Sequence, residues 1–185
     1  MTGSAPVTRL VTLDDVEVLA ELVSANRGFM RPFEPVRAPE YFTVDGQRAV
    51  VAEFLEQHAQ GRALPHLVLD DGGRVVGRIV LSAIAYGPFR SANLGYWVDR
   101  AHNGRGLATA ATADMVRRAF DDLGLHRVSA GALEHNLASR RVLERNGFVR
   151  YGLAPRYLNI AGRWQDHVLY QRLNEPPEAG DVVTG

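Results

Sequence analysis

Two glycines in the middle of the chain, within Asn103-Gly104-Arg105-Gly106-Leu107-Ala108-Thr109, offer chemistry through the backbone. Glycine lets a backbone approach a ligand closely, and the unpaired N–H groups at a helix N-terminus favour negative charge. The alternative interpretation is that the two glycines only form a turn before a helix and bind no ligand. No Lys-Ser or Lys-Thr pair follows, and Thr109 stands at the third glycine position of the dinucleotide fingerprint, so both common nucleotide motifs are absent. The turn therefore indicates an anion site without identifying the anion.

Asn136 and Ser139 form a second candidate pair, because they stand three residues apart at the start of a segment with helical character. An asparagine at that position caps a helix by accepting a hydrogen bond from a backbone N–H, and it can contact a ligand as well. A serine in the first turn of a helix bonds its own backbone or donates a proton from its hydroxyl. Both interpretations stay open for each residue at this point.

The composition excludes other kinds of chemistry. The chain of 185 residues has no cysteine, so it offers no acyl-cysteine intermediate and no thiolate metal site. The six histidines show no ligand spacing, and we expect no metal. Lys plus Arg and Asp plus Glu both number 21, which gives no overall field for binding DNA or an anionic membrane. No signal peptide or membrane-spanning segment is recognisable, and we expect a cytoplasmic protein.

The predicted elements place both motifs at strand–helix junctions. Hydrophobic periodicity and turn residues predict the order βααβββαβαββ in a single domain. The predicted strands span 7–11, 67–69, 74–85, 93–98, 127–133, 148–151 and 167–173. The predicted helices begin at the capping box of Thr12 and Asp15, near Val50, at Gly104 and at Leu137. Prolines predict a structured loop at 26–39, and the segment 174–185 is predicted to be a flexible C-terminal tail.

A strand that ends in Gly95-Tyr96-Trp97-Val98 and leads into the glycine turn resembles the acetyl-CoA motif of the GNAT superfamily, written Q/R-x-x-G-x-G/A. Asn103 replaces the first residue of that motif and leaves its backbone cradle intact. The segment from Asn136 to Phe148 resembles the family's helix with Asn, then Ser, then Gly-Phe. The resemblance covers residues 7–173 as one GNAT domain. It implies an α/β (α+β) fold, with a mixed twisted sheet of about seven strands splayed between strands four and five, and about four helices.

The resemblance further implies an acetyl-CoA-dependent N-acetyltransferase, with acetyl-CoA as co-substrate. Trp97 and Val98 are expected to hold the thioester carbonyl or the pantetheine. The residues expected to bind the pyrophosphate are Asn103, Gly104, Arg105, Gly106, Leu107, Ala108 and Thr109. Asn136 is expected to contact the pantetheine arm, and Ser139 is expected to protonate the leaving thiolate. The basic residues Arg140, Arg141 and Arg145 either meet the 3′-phosphate of the coenzyme or RNA, or form a solvated helix face.

A third segment, Asn26 to Pro35, resembles the NR-x-x-L-x-P-W-E-P loop of the RimJ/RimL-like subfamily, which acetylates N-terminal amines of ribosomal proteins. Many GNAT members carry a glutamate where this chain has Asn93, and the subfamily's usual Glu-Gly is Tyr151-Gly152 here. Glu34 is then the motif-matched candidate for the general base, or it pairs with Arg27, Arg31 or Arg37. Tyr96 is expected to line the pocket, with a hydroxyl that can assist catalysis.

The basicity of the acceptor decides how strong a base is needed. An α-amine has a pKa of about 7.7–8.0 and a lysine of about 10.4, so neutralising lysine at pH 7.4 costs roughly 4 kcal/mol and neutralising an α-amine costs less than about 1. A chain without an obvious base suits an α-amine, with deprotonation by Glu34 or through water. The sequence therefore predicts acetylation of a protein N-terminus, with possible ribosome association or homodimer formation. Acetylation of a small amine, such as a polyamine or an antibiotic, and coenzyme binding without catalysis are the alternatives.

Overall fold

Seven strands and five α-helices form the part of the chain, residues 6–175, that the computed structural model describes. The strands are β1 (Thr8–Leu10), β2 (Leu64–Leu69), β3 (Val75–Ala85), β4 (Ser91–Val98), β5 (Arg127–Leu133), β6 (Val149–Ile160) and β7 (Arg163–Leu173). The helices are α1 (Val16–Ala25), α2 (Arg27–Met30), α3 (Val44–Ala59), α4 (Leu107–Arg117) and α5 (Leu137–Arg145). Within these residues no helix combines the length and apolar character that a membrane span requires.

The sheet has the order β1-β2-β3-β4-β5-β7-β6 and is antiparallel except between β4 and β5. That parallel pair is short, because only Ser91 to Asn93 of β4 face Arg127 to Ser129 of β5. Beyond these residues the two strands diverge and leave an opening in the middle of the sheet. The splay predicted from the family resemblance is therefore confirmed.

The two faces of the sheet bury separate hydrophobic clusters. Side chains alternate between the faces along a strand, so Ile79, Leu94 and Val98 pack against α4 and α5 on one face. Leu67 and Trp97 pack against α1 and α3 on the other face. We call these the α4 face and the α3 face. The opening between β4 and β5 connects the two faces.

Several predicted boundaries differ from the structure. The segment 26–39 was predicted as a loop, but it begins with the helical turn α2, which ends just before Pro32 removes a backbone donor. The predicted helix 104–123 is α4 followed by a π-helical turn at Arg118–Asp122. Helix α3 begins six residues before Val50, where Thr43 caps it by accepting a hydrogen bond from the Gly46 N–H at 3.1 Å.

The terminal strands show the largest difference, because β6 and β7 form a long hairpin rather than two short strands. Of the predicted C-terminal tail only Asn174 and Glu175 belong to the described residues. The Asn174 N–H donates to the His126 carbonyl at 2.8 Å, and the Glu175 carboxylate lies 3.2 Å from the His126 ring. The remainder of that prediction falls outside the described residues.

Candidate active site

The glycine turn between β4 and α4 forms an open backbone cradle. Gly104 and Gly106 have φ of 77° and 79°, a left-handed conformation that favours glycine, and Gly106 is the residue that caps α4. A Cβ at either position would meet nothing within 4 Å, so the space beside the turn is free. The first N–H groups of α4, on Leu107, Ala108 and Thr109, have no acceptor inside the helix. The cradle therefore presents backbone donors and the positive end of a helix dipole to an anion.

A buried side-chain network fixes the start of this cradle. Asn26, at the end of α1, donates from Nδ2 to Asp99 Oδ1 at 2.9 Å and accepts from the Arg100 N–H at 2.8 Å. His102 Nδ1 lies 2.7 Å from Asp99 Oδ2. Burial raises the pKa of the Asp99 carboxyl, but the hydrogen bonds from Asn26 and His102 outweigh it and leave that pKa below its ordinary value. The ionised Asp99 thus ties α1 to the loop that leads into the glycines.

Helix α5 brings the second motif to the same side of the opening. Asn136 caps it, because its Oδ1 accepts a hydrogen bond from the Ser139 N–H at 3.1 Å. The Ser139 hydroxyl does not bond its own backbone; it lies 2.9 Å from the Tyr96 hydroxyl, which is also 3.1 Å from the Ser139 carbonyl oxygen. Burial raises the pKa of Tyr96 to about 12, so its phenol stays protonated. Tyr96 and Ser139 therefore form a linked pair of neutral proton donors that joins β4 to α5.

One cleft of about 760 Å³ runs through the opening and is lined from both faces of the sheet. Its first part, on the α4 face, is lined by Tyr96, Val98, Asn103, Gly104, Gly106, Leu107, Ala108, Thr109, Asn136, Ala138, Ser139, Arg141, Val142 and Arg145. Its second part, on the α3 face, is lined by Phe29, Met30, Phe33, Glu34, Arg37, Tyr41, Arg78 and Trp97. We call them the cradle half and the loop half. The two motifs recognised in the sequence lie in the cradle half.

Glu34 places a carboxylate in the loop half, and its side chain is only 14% exposed. Burial raises the pKa of this carboxyl, while the charges of Arg37 and Arg78 lower it, and the result lies above the ordinary value. The Arg37 guanidinium is 3.9 Å away, so one of the predicted arginine partners is present. The Glu34 carbonyl accepts the Ala161 N–H at 3.0 Å, which ties this loop to the β6–β7 turn. Glu34 is thus a half-buried carboxylate with a raised pKa, on a loop whose backbone is tied to the β6–β7 turn.

Four of the residues singled out in the sequence do not line the cleft. Arg105 points toward Asp71, 3.9 Å away, and is half-exposed. Arg140 donates to the Tyr170 hydroxyl and to the Glu134 carbonyl, both at 3.1 Å. Asn93 and Tyr151 stand outside the lining as well. Trp97 does line the cleft, but its side chain lies on the α3 face, so only its backbone is available to the cradle half. Its proposed coenzyme contact, like that of Arg105, stays a prediction.

Arg78 and Tyr41 are lining residues that the sequence interpretation missed. Arg78 is the one charged residue of the largely apolar strand β3, and that interruption was a usable signal. Its guanidinium lies over the Phe54 ring, with Cζ 5.0 Å from the centroid, and Nη2 is 3.5 Å from the Tyr41 hydroxyl. Asn26 and Asp99 were missed because their link depends on the packing of α1 against the β4–α4 loop. Within residues 6–175 no group of three or more metal-ligating side chains is found.

The chain is similar to proteins of known family. It matches the family described as "Acetyltransferase (GNAT) domain" over residues 7–149. It is 36% identical over 181 residues to the Bacillus subtilis (strain 168) protein named "Probable N-acetyltransferase YjcK", covering 96% of this chain and 99% of that one. It is 34% identical to the ribosomal protein uS5-alanine N-acetyltransferase of Escherichia coli (strain K12), covering 91% and 88%. The structure of Mycobacterium smegmatis RimJ in complex with CoA-disulfide has a TM-score of 0.87 at 30% identity, covering 90% and 81%.

Proposed function

The chain belongs to the GNAT acetyltransferase family, and we propose that it transfers the acetyl group to the α-amine of a protein N-terminus, such as that of a ribosomal protein. Acetyl-CoA is its co-substrate. The observation that carries the choice of acceptor is Glu34, a half-buried carboxylate across the sheet opening from the cradle. The name of the E. coli relative supports the same class of acceptor.

The residues of the cradle half fit acetyl-CoA. The open space beside Gly104 and Gly106, together with the free N–H groups of α4, suits the pyrophosphate. Arg141 and Arg145 line the same half and supply positive charge for the 3′-phosphate. Asn136 and Val98 line the path from the cradle to the opening, where the pantetheine arm belongs. When bound, the coenzyme supplies an acetyl thioester, whose carbonyl can accept an amine.

The protein contributes positioning and proton transfer to this reaction. The two halves bring an amine and an acyl group together from opposite faces of the sheet, which converts a bimolecular encounter into a reaction between positioned groups. Glu34 accepts the proton of the amine, directly or through water. Tyr96 and Ser139 lie in the cradle half and donate a proton toward the departing sulfur. The backbone N–H of Val98, at the end of β4, is positioned to stabilise charge on the carbonyl oxygen.

The α-amine suits this set of groups better than a lysine does. An α-amine with a pKa of about 7.7–8.0 gives up its proton to a carboxylate of raised pKa at a smaller cost than a lysine near 10.4. The loop half is also mainly aromatic and apolar, with Phe29, Met30, Phe33 and Tyr41 around Glu34. A surface of this kind accommodates the first side chain of a polypeptide. It lacks the several carboxylates that would attract a polyamine.

A panel of acceptors tests the proposal. The purified chain is mixed with acetyl-CoA and with peptides that differ in their first residue, N-terminally blocked peptides with an internal lysine, polyamines and aminoglycosides. Thiol release reports turnover and mass spectrometry locates the acetyl group. Acetylation confined to free peptide N-termini is the expected result. Acetylation of the small amines without the peptides would refute the protein acceptor and leave the enzyme class untouched.

A further inference from the structure

Arg78 on β3 and Trp97 on β4 line the loop half of the cleft, and each has one buried hydrogen-bond donor atom. The two residues face each other across the antiparallel β3–β4 pair, so their side chains lie side by side on the α3 face. Arg78 Nη1 and Trp97 Nε1 have no hydrogen-bond partner among residues 6–175. Arg78 as a whole is 9% exposed. Both residues with an unpaired donor therefore line the half proposed to receive the acceptor amine.

Leaving such donors unpaired is costly. A buried N–H without an acceptor loses the hydrogen bonds it would make with water, and a charged donor loses more than a neutral one. Glu34 interacts electrostatically with Arg78, but its carboxylate is already 3.9 Å from the Arg37 guanidinium, and its pKa stays raised although both arginines lower it. The protein thus holds an arginine and an indole in place with Arg78 Nη1 and the indole N–H unpaired, although Arg78 Nη2 contacts the Tyr41 hydroxyl. An arrangement of this kind suits an oxygen supplied by a ligand.

The position of that oxygen follows from the position of the amine. Glu34 and Arg78 share one end of the cleft, so a substrate whose amine meets Glu34 has its next atoms beside the two donors. In an α-amine the carbonyl oxygen is joined to the nitrogen through two carbons, as N–C–C=O. A carbonyl or carboxylate oxygen has the lone pairs to accept from both N–H groups.

We propose that Arg78 and Trp97 form an oxygen-binding subsite that selects acceptors carrying a carbonyl next to the reacting amine. The subsite rests on the proposed function, because it interprets the acceptor as an α-aminoacyl group. It deepens that function by giving the enzyme a reason to prefer an α-amine over a lysine or polyamine, whose nitrogen has no adjacent carbonyl. A free carboxylate presents the same oxygen chemistry, and the test separates it from a peptide carbonyl.

The test compares three small acceptors that share an amine on a methyl-bearing carbon: alaninamide, free alanine and isopropylamine, which has a methyl group in place of the carbonyl. The preference is the ratio of kcat/KM for alaninamide to that for isopropylamine. Comparing this ratio between wild type and variants cancels the difference in amine basicity. Trp97→Phe removes the N–H but keeps an aromatic ring, and Arg78→Met removes the charge but keeps an unbranched chain of similar length. Trp164→Phe is the matched control, because that tryptophan is 63% exposed and does not line the cleft.

Trp97→Phe and Arg78→Met are each expected to lower the preference for alaninamide about 10- to 100-fold. Trp164→Phe should leave the ratio unchanged. Acetyl-CoA binding by calorimetry and the far-ultraviolet circular dichroism spectrum show whether each variant is folded and loaded. If both variants lower kcat/KM equally for all three amines, the donors act through the structure alone and the subsite is refuted.

The two proposals fail in different ways. A wild-type enzyme that acetylates no peptide refutes the protein acceptor, while a preference ratio that the variants leave unchanged refutes the subsite. A wild type that prefers free alanine, with a preference lost in both variants, supports the subsite and assigns it to a carboxylate. That last result also contradicts the protein acceptor, because a polypeptide N-terminus has no free carboxylate beside its amine.

Discussion

The groups proposed to transfer protons lie on opposite faces of one sheet. Tyr96 and Ser139 belong to the cradle half, while Glu34 reaches the opening from the α3 face. Burial raises the pKa of both Tyr96 and Glu34, which keeps the phenol protonated and strengthens the carboxylate as a base. The proposed acid and the proposed base therefore approach the reacting groups from opposite sides of the sheet.

Replacing Ser139 with alanine tests the proton donor. Ser139→Ala removes the hydroxyl that lies 2.9 Å from Tyr96, and we expect kcat to fall about 30-fold or more while KM for acetyl-CoA changes little. Tyr96→Phe should lower kcat by a smaller factor, because Ser139 remains. Thiol-release kinetics at saturating acceptor measure both effects. A Ser139→Ala enzyme with normal kcat would show that the thiolate needs no donor from this pair.

The pH profile tests Glu34 as the base. Log kcat/KM should rise with slope one while only the amine, with a pKa of about 7.7–8.0, loses its proton. A raised carboxyl pKa means that the Glu34 carboxylate is lost at a higher pH than usual, so below that pKa the wild-type slope should become two. Glu34→Gln should keep slope one throughout and lower kcat/KM about 100-fold at pH 8. Glu40→Gln, an exposed glutamate of the same loop, is the control. A second slope that persists in Glu34→Gln would exclude this residue.

At the scale of elements, sequence patterns predicted local features better than distant ones. The Asn136 cap is visible in the sequence because capping is a contact over three residues. The sequence does not show that Arg78, Trp97 and Glu34 line the same half of the cleft. Their common position depends on the β3–β4 register and on the path of the α1–α3 connection. The length of the β6–β7 hairpin was missed for a related reason: β6 is a largely exposed edge strand, the first residues of β7 are exposed as well, and neither stretch shows much apolar alternation.

The junction between β4 and α4 gives a prediction about an element rather than a side chain. Gly106→Ala places a methyl group in the open space over the cradle and also strains a backbone with φ of 79°, at a cost of about 1–2 kcal/mol. We expect KM for acetyl-CoA to rise about tenfold or more. Gly73 is the matched control, because its φ is 77°, a Cβ there also meets nothing within 4 Å, and it lies in the β2–β3 turn.

Comparing Gly106→Ala with Gly73→Ala separates the cost of backbone strain from the effect on coenzyme binding. Gly73→Ala should lose similar stability in urea unfolding but keep the KM of the wild type. Equal changes in KM for the two alanine variants would show that the affinity for the coenzyme follows overall stability and not the shape of the turn.

At the scale of the whole molecule, a buried polar network holds the helix that carries the cradle. The Thr8 hydroxyl donates to the Asp114 carboxylate at 2.5 Å and lies 2.8 Å from Nδ1 of His66. Because Thr8 donates its one proton to Asp114, His66 must donate from Nδ1, which fixes a neutral tautomer. The network joins β1, β2 and α4, and Arg118 extends it by donating to Asp114 at 3.0 Å. These hydrogen bonds tie α4, the helix that begins at the cradle, to β1 and β2.

Acid should therefore weaken the fold before it protonates the stabilising carboxylates. Burial, with help from the charges of Arg118 and His58, lowers the pKa of His66 to about 4 although Asp114 opposes it. Between pH 6.5, the ordinary pKa of histidine, and about pH 4, His66 is protonated in the unfolded chain but neutral in the folded chain. The free energy of unfolding therefore falls as the pH falls. The loss reaches at most about 3 kcal/mol at pH 4, measured by urea unfolding.

His66→Asn, which keeps a donor toward Thr8, should flatten this dependence, and exposed His135→Asn should not. A His66→Asn protein that loses as much stability as the wild type between pH 6.5 and 4 would place the acid sensitivity in other groups.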